Sequence, residues 1–110
     1  AVDDHDNIVG CVTYVHGPDH PHAEFTDVDA AGFRMLAVDP AAQGAGIGRA
    51  LVEWCVDEAR SSGRRRLLIH SGAWMTRAHA LYSSMGFVRR PDMDWIPVPE
   101  IHLLGFSLEL

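Results

Sequence analysis

The stretch LAVDPAAQGAGIGRAL, residues 36–51, decides how this chain is expected to fold. Its first residues close an apolar strand predicted for residues 33–38, since the ring of Pro40 cannot continue a β-ladder. Glycines at alternating positions follow, and from Ile47 the apolar residues recur at helical spacing, with Leu51 one turn further on. The stretch therefore predicts a strand, a glycine-rich loop and a helix in direct succession.

The loop carries Gly44, Gly46 and Gly48, a composition typical of a phosphate-binding site. The first turn of a helix has backbone N–H groups without partners, and glycines let an anion approach them. A Walker loop would need lysine and then serine or threonine where Arg49 and Ala50 stand, and a dinucleotide loop would need glycine or alanine in place of Arg49. ATP, GTP and NAD are therefore disfavoured, and the alternative to a phosphate site is a plain flexible loop.

The rest of the chain alternates between strand and helix patterns. Strands are predicted at residues 7–16, 22–26, 33–38, 65–71, 87–89 and 101–110, one helix from Ile47 until Gly63 ends it, and another from a Thr76 cap through Met85, closed by Gly86. Pro91, Pro97 and Pro99 predict a loop before the last strand. The order β, β, β, α, β, α, β, β predicts a mixed α/β layer fold. The apolar last strand is expected either inside the sheet or beneath a second subunit.

Length and composition limit the classes of protein to consider. With 110 residues, 47% of them hydrophobic and 22% charged, residues 1–110 are expected to form one globular domain. A net charge of −6 disfavours a nucleic-acid partner, and no apolar run is long enough for a membrane span or a signal peptide. Cys11 and Cys55 lie in apolar segments, and two buried free thiols suit a cytoplasmic location.

Histidines supply further candidate sites. His16, His20 and His22 flank a Gly-Pro turn without a cysteine cluster or helical spacing, so no metal site is predicted there. His70, at the end of a strand near the glycine loop, is a candidate for a polar group on the substrate side.

Two motifs give the chain a resemblance to a known family. The first is Gln43-x-x-Gly46-x-Gly48, and the second is Ala78-x-x-Leu81-Tyr82-x-x-x-Gly86-Phe87. In order and spacing, residues 8–110 closely resemble the GNAT superfamily of N-acetyltransferases. The resemblance implies an α/β fold with a GNAT-like mixed, mostly antiparallel central sheet flanked by helices. It also implies that the chain is incomplete at its N-terminus and lacks the family's N-terminal strand and two helices.

The same resemblance implies a cosubstrate and the residues that bind it. Acetyl-CoA would place its diphosphate on the amides of Gln43, Gly44, Ala45, Gly46, Ile47, Gly48 and Arg49, and its pantetheine arm along the backbone of Leu36, Ala37 and Val38. Tyr82 would be the catalytic residue that serves the departing thiolate. The implied reaction is transfer of an acetyl group from acetyl-CoA to a primary amine of a small molecule or peptide, by direct attack on the thioester. A non-catalytic acyl-CoA-binding or assembly module is the alternative, and a homodimer is one possible assembly.

The chain departs from the family pattern at the expected general base. Some relatives have a glutamate at the position that Gly32 occupies, so that residue cannot be carried over. Glu24, Asp27 and Asp29 are neighbouring carboxylates that could act through water or be solvated surface groups. The base is therefore left unassigned.

A second departure lies at the start of the second helix. Many members have an asparagine at the position of Met75, where it binds the pantetheine, and methionine cannot form that hydrogen bond. Trp74 and Met75 instead predict an apolar wall for the cofactor or substrate, or a part of the core. Arg77 and His79 on the same helix could meet the 3′-phosphate of the nucleotide or lie in solvent.

Overall fold

The computed structural model describes residues 1–110, which form one sheet of six strands and two α-helices. The elements are β1 (Gly10–Val15), β2 (Ala30–Val38), α1 (Ile47–Ser61), β3 (Arg66–Gly72), α2 (Thr76–Ser84), β4 (Val88–Arg89), β5 (Trp95–Val98) and β6 (Ile101–Glu109), with short 3-10 turns at Pro40–Ala42 and Pro91–Met93. The strand order is β1-β2-β3-β6-β4, with β5 also beside β6. Only β2 and β3 pair in parallel, so the predicted mixed, mostly antiparallel sheet is confirmed.

Both helices pack on the same face of the sheet, here called the helix face. Of the predicted apolar stripe of α1, Cys55 and Ala59 are fully enclosed there, as is Val52 beside them, whereas Ile47 and Leu51 at its start are partly exposed. Tyr82 of α2 joins the same core cluster, together with Phe33, Ile69 and Phe106 from three strands. The helix α1 ends before Gly63, whose φ of +75° is the left-handed conformation that glycine adopts without strain.

The opposite face, here called the loop face, carries Gly32, Leu68 and Gly105. Two loop segments cover it. A side chain at Gly32 would collide with the Leu68 carbonyl oxygen of β3 and then with the Phe25 ring above it, and one at Gly105 would collide with Met93 of the Pro91–Met93 turn. The two segments take the place of a helical layer on this side of the sheet.

The predicted strand at residues 22–26 is wrong. Residues 22–26 form no ladder with any strand of the sheet. It crosses the loop face instead, where Glu24 forms an ion pair of 2.8 Å with Arg34 and Phe25 contacts Gly32. Phe25, the apolar residue of this segment, therefore packs on the face of the sheet and does not belong to a β-ladder.

The segment with Pro97 was expected to be a loop, yet it contains β5. This strand lies at an edge of the sheet and pairs with β6 at Trp95↔Leu103 and Val98↔Ile101. Proline is tolerated at an edge because its missing N–H can face away from the partner strand. Cys11 is a further correction, because it lies on the edge strand β1 and is exposed, whereas Cys55 is buried as expected.

The last strand, β6, is apolar because it lies inside the sheet. It pairs with β3 along one edge and with β4 and β5 along the other. Burial by neighbouring strands accounts for Phe106 and its apolar neighbours without a second subunit. Neither helix combines the length and hydropathy that a membrane crossing requires.

The start of α2 differs from the prediction in its capping residue. The N-cap is Met75, which has no side-chain capping hydrogen bond, and Thr76 is already the first helical residue. We expect Met75→Asn to raise the free energy of unfolding by about 1 kcal/mol, since an asparagine side chain can accept a hydrogen bond from the open amides of the first turn. Urea unfolding would measure the change. Met75→Gln, which is a poor N-cap, should not reproduce the gain, and an unstabilised asparagine variant would contradict the capping argument.

An acid-sensitive ion pair fixes the turn that covers Gly105. The Asp94 carboxylate accepts hydrogen bonds from Arg89 at 2.6 Å and from the Gly105 amide at 2.9 Å. These two donors, Arg89 foremost, lower the pKa of Asp94 from 3.8 to about 2. A lowered pKa in the folded state means that this stabilisation is fully present above pH 4 or so and is lost as the pH falls towards 2.

We therefore expect the stability of the Asp94→Asn variant to fall less on acidification than that of the wild type. Between about pH 4.5 and pH 2.5, the midpoint of urea unfolding should fall less in the variant than in the wild type. Asp57→Asn, at an exposed carboxylate on α1, serves as the control. Its urea midpoint should change with pH by the same slope as that of the wild type. Equal slopes for wild type and Asp94→Asn would show that the Asp94 pair does not govern this transition.

Candidate functional site

A gap opens between the two parallel strands of the sheet. The ladder between β2 and β3 ends at Ala31↔Leu67, although the strands continue to Val38 and Gly72. Beside the gap β2 contains one extra residue relative to β1, and Met35 adopts a φ of +58°, which is strained for a side chain of this size. This bulge bends β2 away from β3 and leaves the facing edges of both strands free of ladder hydrogen bonds.

A cavity of about 580 Å³ lies at this end of the sheet, between the first turns of α1 and α2. It is lined by Leu36, Val38, Gln43, Gly44, Gly46, Ile47, Gly48, Arg49, Trp74, Met75, Thr76, Arg77, Ala78 and Leu81. Eight of the ten residues predicted to bind the cofactor are therefore brought together. The other two, Ala37 and Ala45, are exposed and do not line the cavity.

The glycine loop presents free backbone donors to this cavity. Gly46 is the N-cap of α1, and the first helical hydrogen bond runs from Ala50 N–H to its carbonyl oxygen at 3.0 Å. The amides of Ile47, Gly48 and Arg49 consequently have no acceptor within the protein, and the first turn has no acidic residue. With Gly46 at φ +78° and open space where its side chain would be, these amides are accessible to an anion.

Two guanidinium groups border the same cavity in a chain whose net charge is −6. Arg49 pairs with Glu53 at 3.2 Å. Arg77 has no carboxylate partner and donates to Gln43 Oε1 at 2.7 Å, so it spans from α2 to the start of the glycine loop. Arg77 thus places one positive charge without a carboxylate partner beside the free amides, which favours an anionic ligand.

The inner wall of the cavity is apolar. Trp74 is 64% exposed and Met75 is 37% exposed, so both contribute to this wall and neither belongs to the core. Leu36 and Leu81 complete a surface suited to an alkyl chain. His79 does not reach the cavity, because its ring packs against Phe106 with 5.1 Å between centroids.

Tyr82 lies behind the cavity wall rather than on it. Its ring packs edge-on against Phe33 and Phe106 at centroid distances of 5.9 and 5.6 Å. Burial raises the pKa of the phenol to about 12, against a smaller lowering by a hydrogen bond with Ser71. Proton transfer from this phenol to a thiolate of pKa about 8.5 is uphill by about 5 kcal/mol. The hydroxyl can therefore donate a hydrogen bond to a thiolate far more readily than a proton.

A second cavity, of about 540 Å³, lies on the loop face. It is lined by Glu24, Phe25, Thr26, Asp27, Arg66, Leu68, His70, Arg90, Met93 and Glu109. The sequence offers no signal for it, because its residues come from four separate segments. His70 lies here, where its Nε2 is 2.8 Å from the Met93 carbonyl oxygen, and so the expectation that it lies near the glycine loop is wrong.

Two of the three carboxylates considered as bases are engaged in ion pairs. Glu24 is bound to Arg34, and its side chain is only 13% exposed. Asp27 is bound to Arg66, which also contacts Glu109 at 3.3 Å. Hydrogen bonds, chiefly from the Asp29 amide and then from Arg66, lower the pKa of Asp27. The third carboxylate, Asp29, is exposed and forms no ion pair, so the structure assigns no base among the three.

Comparison with known proteins first identifies the class of fold. The ribosomal-protein-alanine N-acetyltransferase of Brucella melitensis superposes with a TM-score of 0.73 at 25% identity, covering 99% of this chain and 66% of that one. The arrangement of strands and helices in this chain is thus that of an acetyltransferase fold. The family model described as Acetyltransferase (GNAT) family matches residues 1–87, and the chain belongs to that family.

Curated relatives match over shorter stretches of their own sequences. The IAA acetyltransferase of Azospirillum brasilense is 40% identical over 57 residues, which cover 52% of this chain and 37% of the relative. The mycothiol acetyltransferase of Renibacterium salmoninarum is 34% identical over 90 residues, which cover 81% of this chain and 25% of the relative. The chain thus spans well under half the length of these curated relatives.

Proposed function

We propose that this chain binds acetyl-CoA in the cavity between α1 and α2 and transfers its acetyl group to a primary amine. The observation that carries the proposal is the set of free amides at Ile47, Gly48 and Arg49, which open into a cavity with an apolar inner wall. Coenzyme A matches both features, since its diphosphate is anionic and suits the free amides, and its long, weakly polar arm suits the apolar wall. Membership of the acetyltransferase family supports the same assignment.

The proposed binding mode follows from the order of surfaces along the cavity. The diphosphate lies on the amides of the glycine loop, and the pantetheine arm runs past Leu36 and Met75 along the free edge of β2 towards the gap. Met75 contributes an apolar contact but no hydrogen bond to the arm. The thioester then reaches the gap between β2 and β3, where the ladder has ended and backbone N–H groups can polarise its carbonyl.

The reaction we propose is direct attack of the amine nitrogen on the thioester carbonyl carbon. A carbon–nitrogen bond forms, the carbon–sulfur bond breaks, and the sulfur leaves as a thiolate. Tyr82 contributes a hydrogen bond to that thiolate, since a pKa of about 12 makes full proton transfer unfavourable, and the sulfur takes its proton from solvent.

The acceptor is a primary amine of a small molecule or a peptide. The names of the relatives above refer to a ribosomal-protein alanine, IAA and mycothiol, so they do not restrict the acceptor of this chain to one class. A cytoplasmic location and a homodimer remain proposals, the first consistent with the free thiols of Cys11 and Cys55.

Calorimetry and a thiol-release assay test the proposal together. We expect acetyl-CoA to bind more tightly than ATP or NAD, and free thiol to appear when acetyl-CoA is mixed with one of a panel of amines. The panel would contain a peptide that begins with alanine, an aliphatic diamine and an amino sugar. Binding without transfer to any amine would favour the alternative, a non-catalytic acyl-CoA-binding module, and equal affinity for ATP would remove the assignment of the glycine loop.

A further inference from the structure

We infer that His70 is the proton acceptor for the amine, reached from the loop face; this inference rests on the proposed acetyl transfer. A protonated tetrahedral adduct forms when an amine attacks a thioester, and it must lose a proton before the amide is complete. Gly32 supplies no carboxylate for this purpose, and two of the neighbouring acids are held in ion pairs with Arg34 and Arg66. Asp29 and His22 lie on the covering loops, whereas the imidazole of His70 is the base that the sheet itself presents beside the gap.

The position of His70 places it beside the gap. It lies on β3, three residues beyond the last ladder partner Leu67, where the strand edge towards β2 is free. Alternation along β3 directs its side chain to the loop face, the same side as Leu68. The space between His70, Ile69, Phe33 and Arg34 is only about 10 Å³, room for about one water molecule. An acceptor bound in the 540 Å³ cavity of the loop face would therefore meet the imidazole directly or through one water.

The hydrogen bond to Met93 selects the tautomer that a base requires. A carbonyl oxygen can only accept, so the Nε2 atom at 2.8 Å from Met93 carries the hydrogen. In the neutral ring, Nδ1 then carries the free lone pair. Nδ1 makes no hydrogen bond within the protein, and it is not among the buried polar atoms that lack a partner, so solvent reaches it. Trp95 packs edge-on against the ring at 6.4 Å and helps to orient it.

The charged groups around His70 are held in ion pairs, with one carboxylate in excess. Glu24 and Arg34 face it from the covering loop and from β2, beside His22, and Arg66 pairs with both Asp27 and Glu109 further along the cavity. Arg90 and Asp94 flank the Met93 turn, each in an ion pair of its own. No unpaired arginine therefore stands against the protonated ring.

Acetyl transfer to the amine moves one proton through His70. The amine nitrogen bonds to the carbonyl carbon, and its surplus proton moves to Nδ1 of His70, directly or through one water. The carbonyl then re-forms, and the carbon–sulfur electron pair leaves with the thiolate, next to the Tyr82 hydroxyl. The imidazolium afterwards returns its proton to solvent, which restores the base, and the thiolate takes a proton from solvent.

The test compares His70→Gln with His102→Gln, at an exposed histidine of β6. For any amine of the panel that the wild type acetylates, we expect His70→Gln to lower kcat/KM at least tenfold at pH 7. The effect is smaller than for most positioned bases because water can also take the proton. Acetyl-CoA affinity should stay within about twofold, and added imidazole should restore part of the rate in this variant only, which a structural role for His70 would not produce.

Two outcomes would overturn the inference while leaving the proposed function intact. One is a His70→Gln enzyme that acetylates its amine at the wild-type rate. The other is NMR of the ¹⁵N-labelled wild-type protein showing hydrogen on Nδ1 and the lone pair on Nε2 in the neutral ring, a result that needs no acceptor. Failure of acetyl-CoA to bind the wild type would instead remove the proposed function and this inference together.

Discussion

Replacing Gly46 with glutamate should abolish measurable binding of acetyl-CoA while the chain remains folded. The new carboxylate would lie at the N-cap of α1, beside the free amides of Ile47 and Gly48 that form the proposed binding site for the diphosphate. It would occupy these donors itself and repel the diphosphate, since like charges placed together cost several kcal/mol. We expect the affinity to fall by at least roughly 10²-fold, equivalent to about 2.7 kcal/mol.

The fold should survive this substitution for two reasons. No atom lies within 4 Å of the position that the new Cβ would take, so the cost is the left-handed backbone at φ +78°, about 1–2 kcal/mol. A negative charge at the start of a helix also interacts favourably with the helix dipole. Circular dichroism and urea unfolding would confirm that the variant is folded before calorimetry is performed.

Two controls separate charge from strain. Gly46→Gln has the same size and backbone strain without the charge, and it should bind acetyl-CoA more tightly than Gly46→Glu does. Gly63→Glu places the same residue at a φ of +75° with equally open space at the other end of α1, and it should bind as the wild type does. If Gly46→Glu binds within threefold of the wild type, the diphosphate does not lie on this loop.

The elements of the fold that were predictable have local causes. The helix α1 was predictable because Val52, Cys55 and Ala59 recur on one stripe and Gly63 stands where the chain must reverse. The course of residues 22–26 was not predictable, because Phe25 faces Gly32, a glycine on a strand to which its own segment is not paired. Periodicity describes which residues are apolar, whereas the partner that buries them is a property of the whole sheet.

The candidate site also has a part that the sequence predicts and parts that it does not. The glycine loop is contiguous in sequence, and its geometry follows from the positive φ angles that Gly44 and Gly46 permit. The gap depends on an extra residue of β2 at Met35. No sequence pattern predicts this extra residue, because methionine rarely adopts a positive φ. The tautomer of His70 depends on Met93, a residue distant in sequence that only the covering turn brings near.

Replacing Tyr82 with phenylalanine should leave acetyl-CoA binding within about twofold and lower the rate of acetyl transfer by roughly 10²-fold, a size typical of one preorganised donor to a developing negative charge. The aromatic ring that packs against Phe33 and Phe106 remains, and only a hydroxyl near Ser71 is removed, so we expect the fold to be retained. Single-turnover thiol release with an amine that the wild type acetylates would measure the rate.

The matched control is Tyr14→Phe, which removes the other tyrosine hydroxyl of the chain, a buried group with no hydrogen-bond partner. That variant should acetylate at the wild-type rate, because its hydroxyl lies in the packing against Trp54 on α1. A Tyr82→Phe enzyme as fast as Tyr14→Phe would mean that the thiolate leaves without help from α2. If Tyr82 does act, its pKa of about 12 requires that the wild-type rate not decline through loss of the phenol proton below about pH 10, whereas a proton-donating phenol of ordinary pKa would begin to lose activity there.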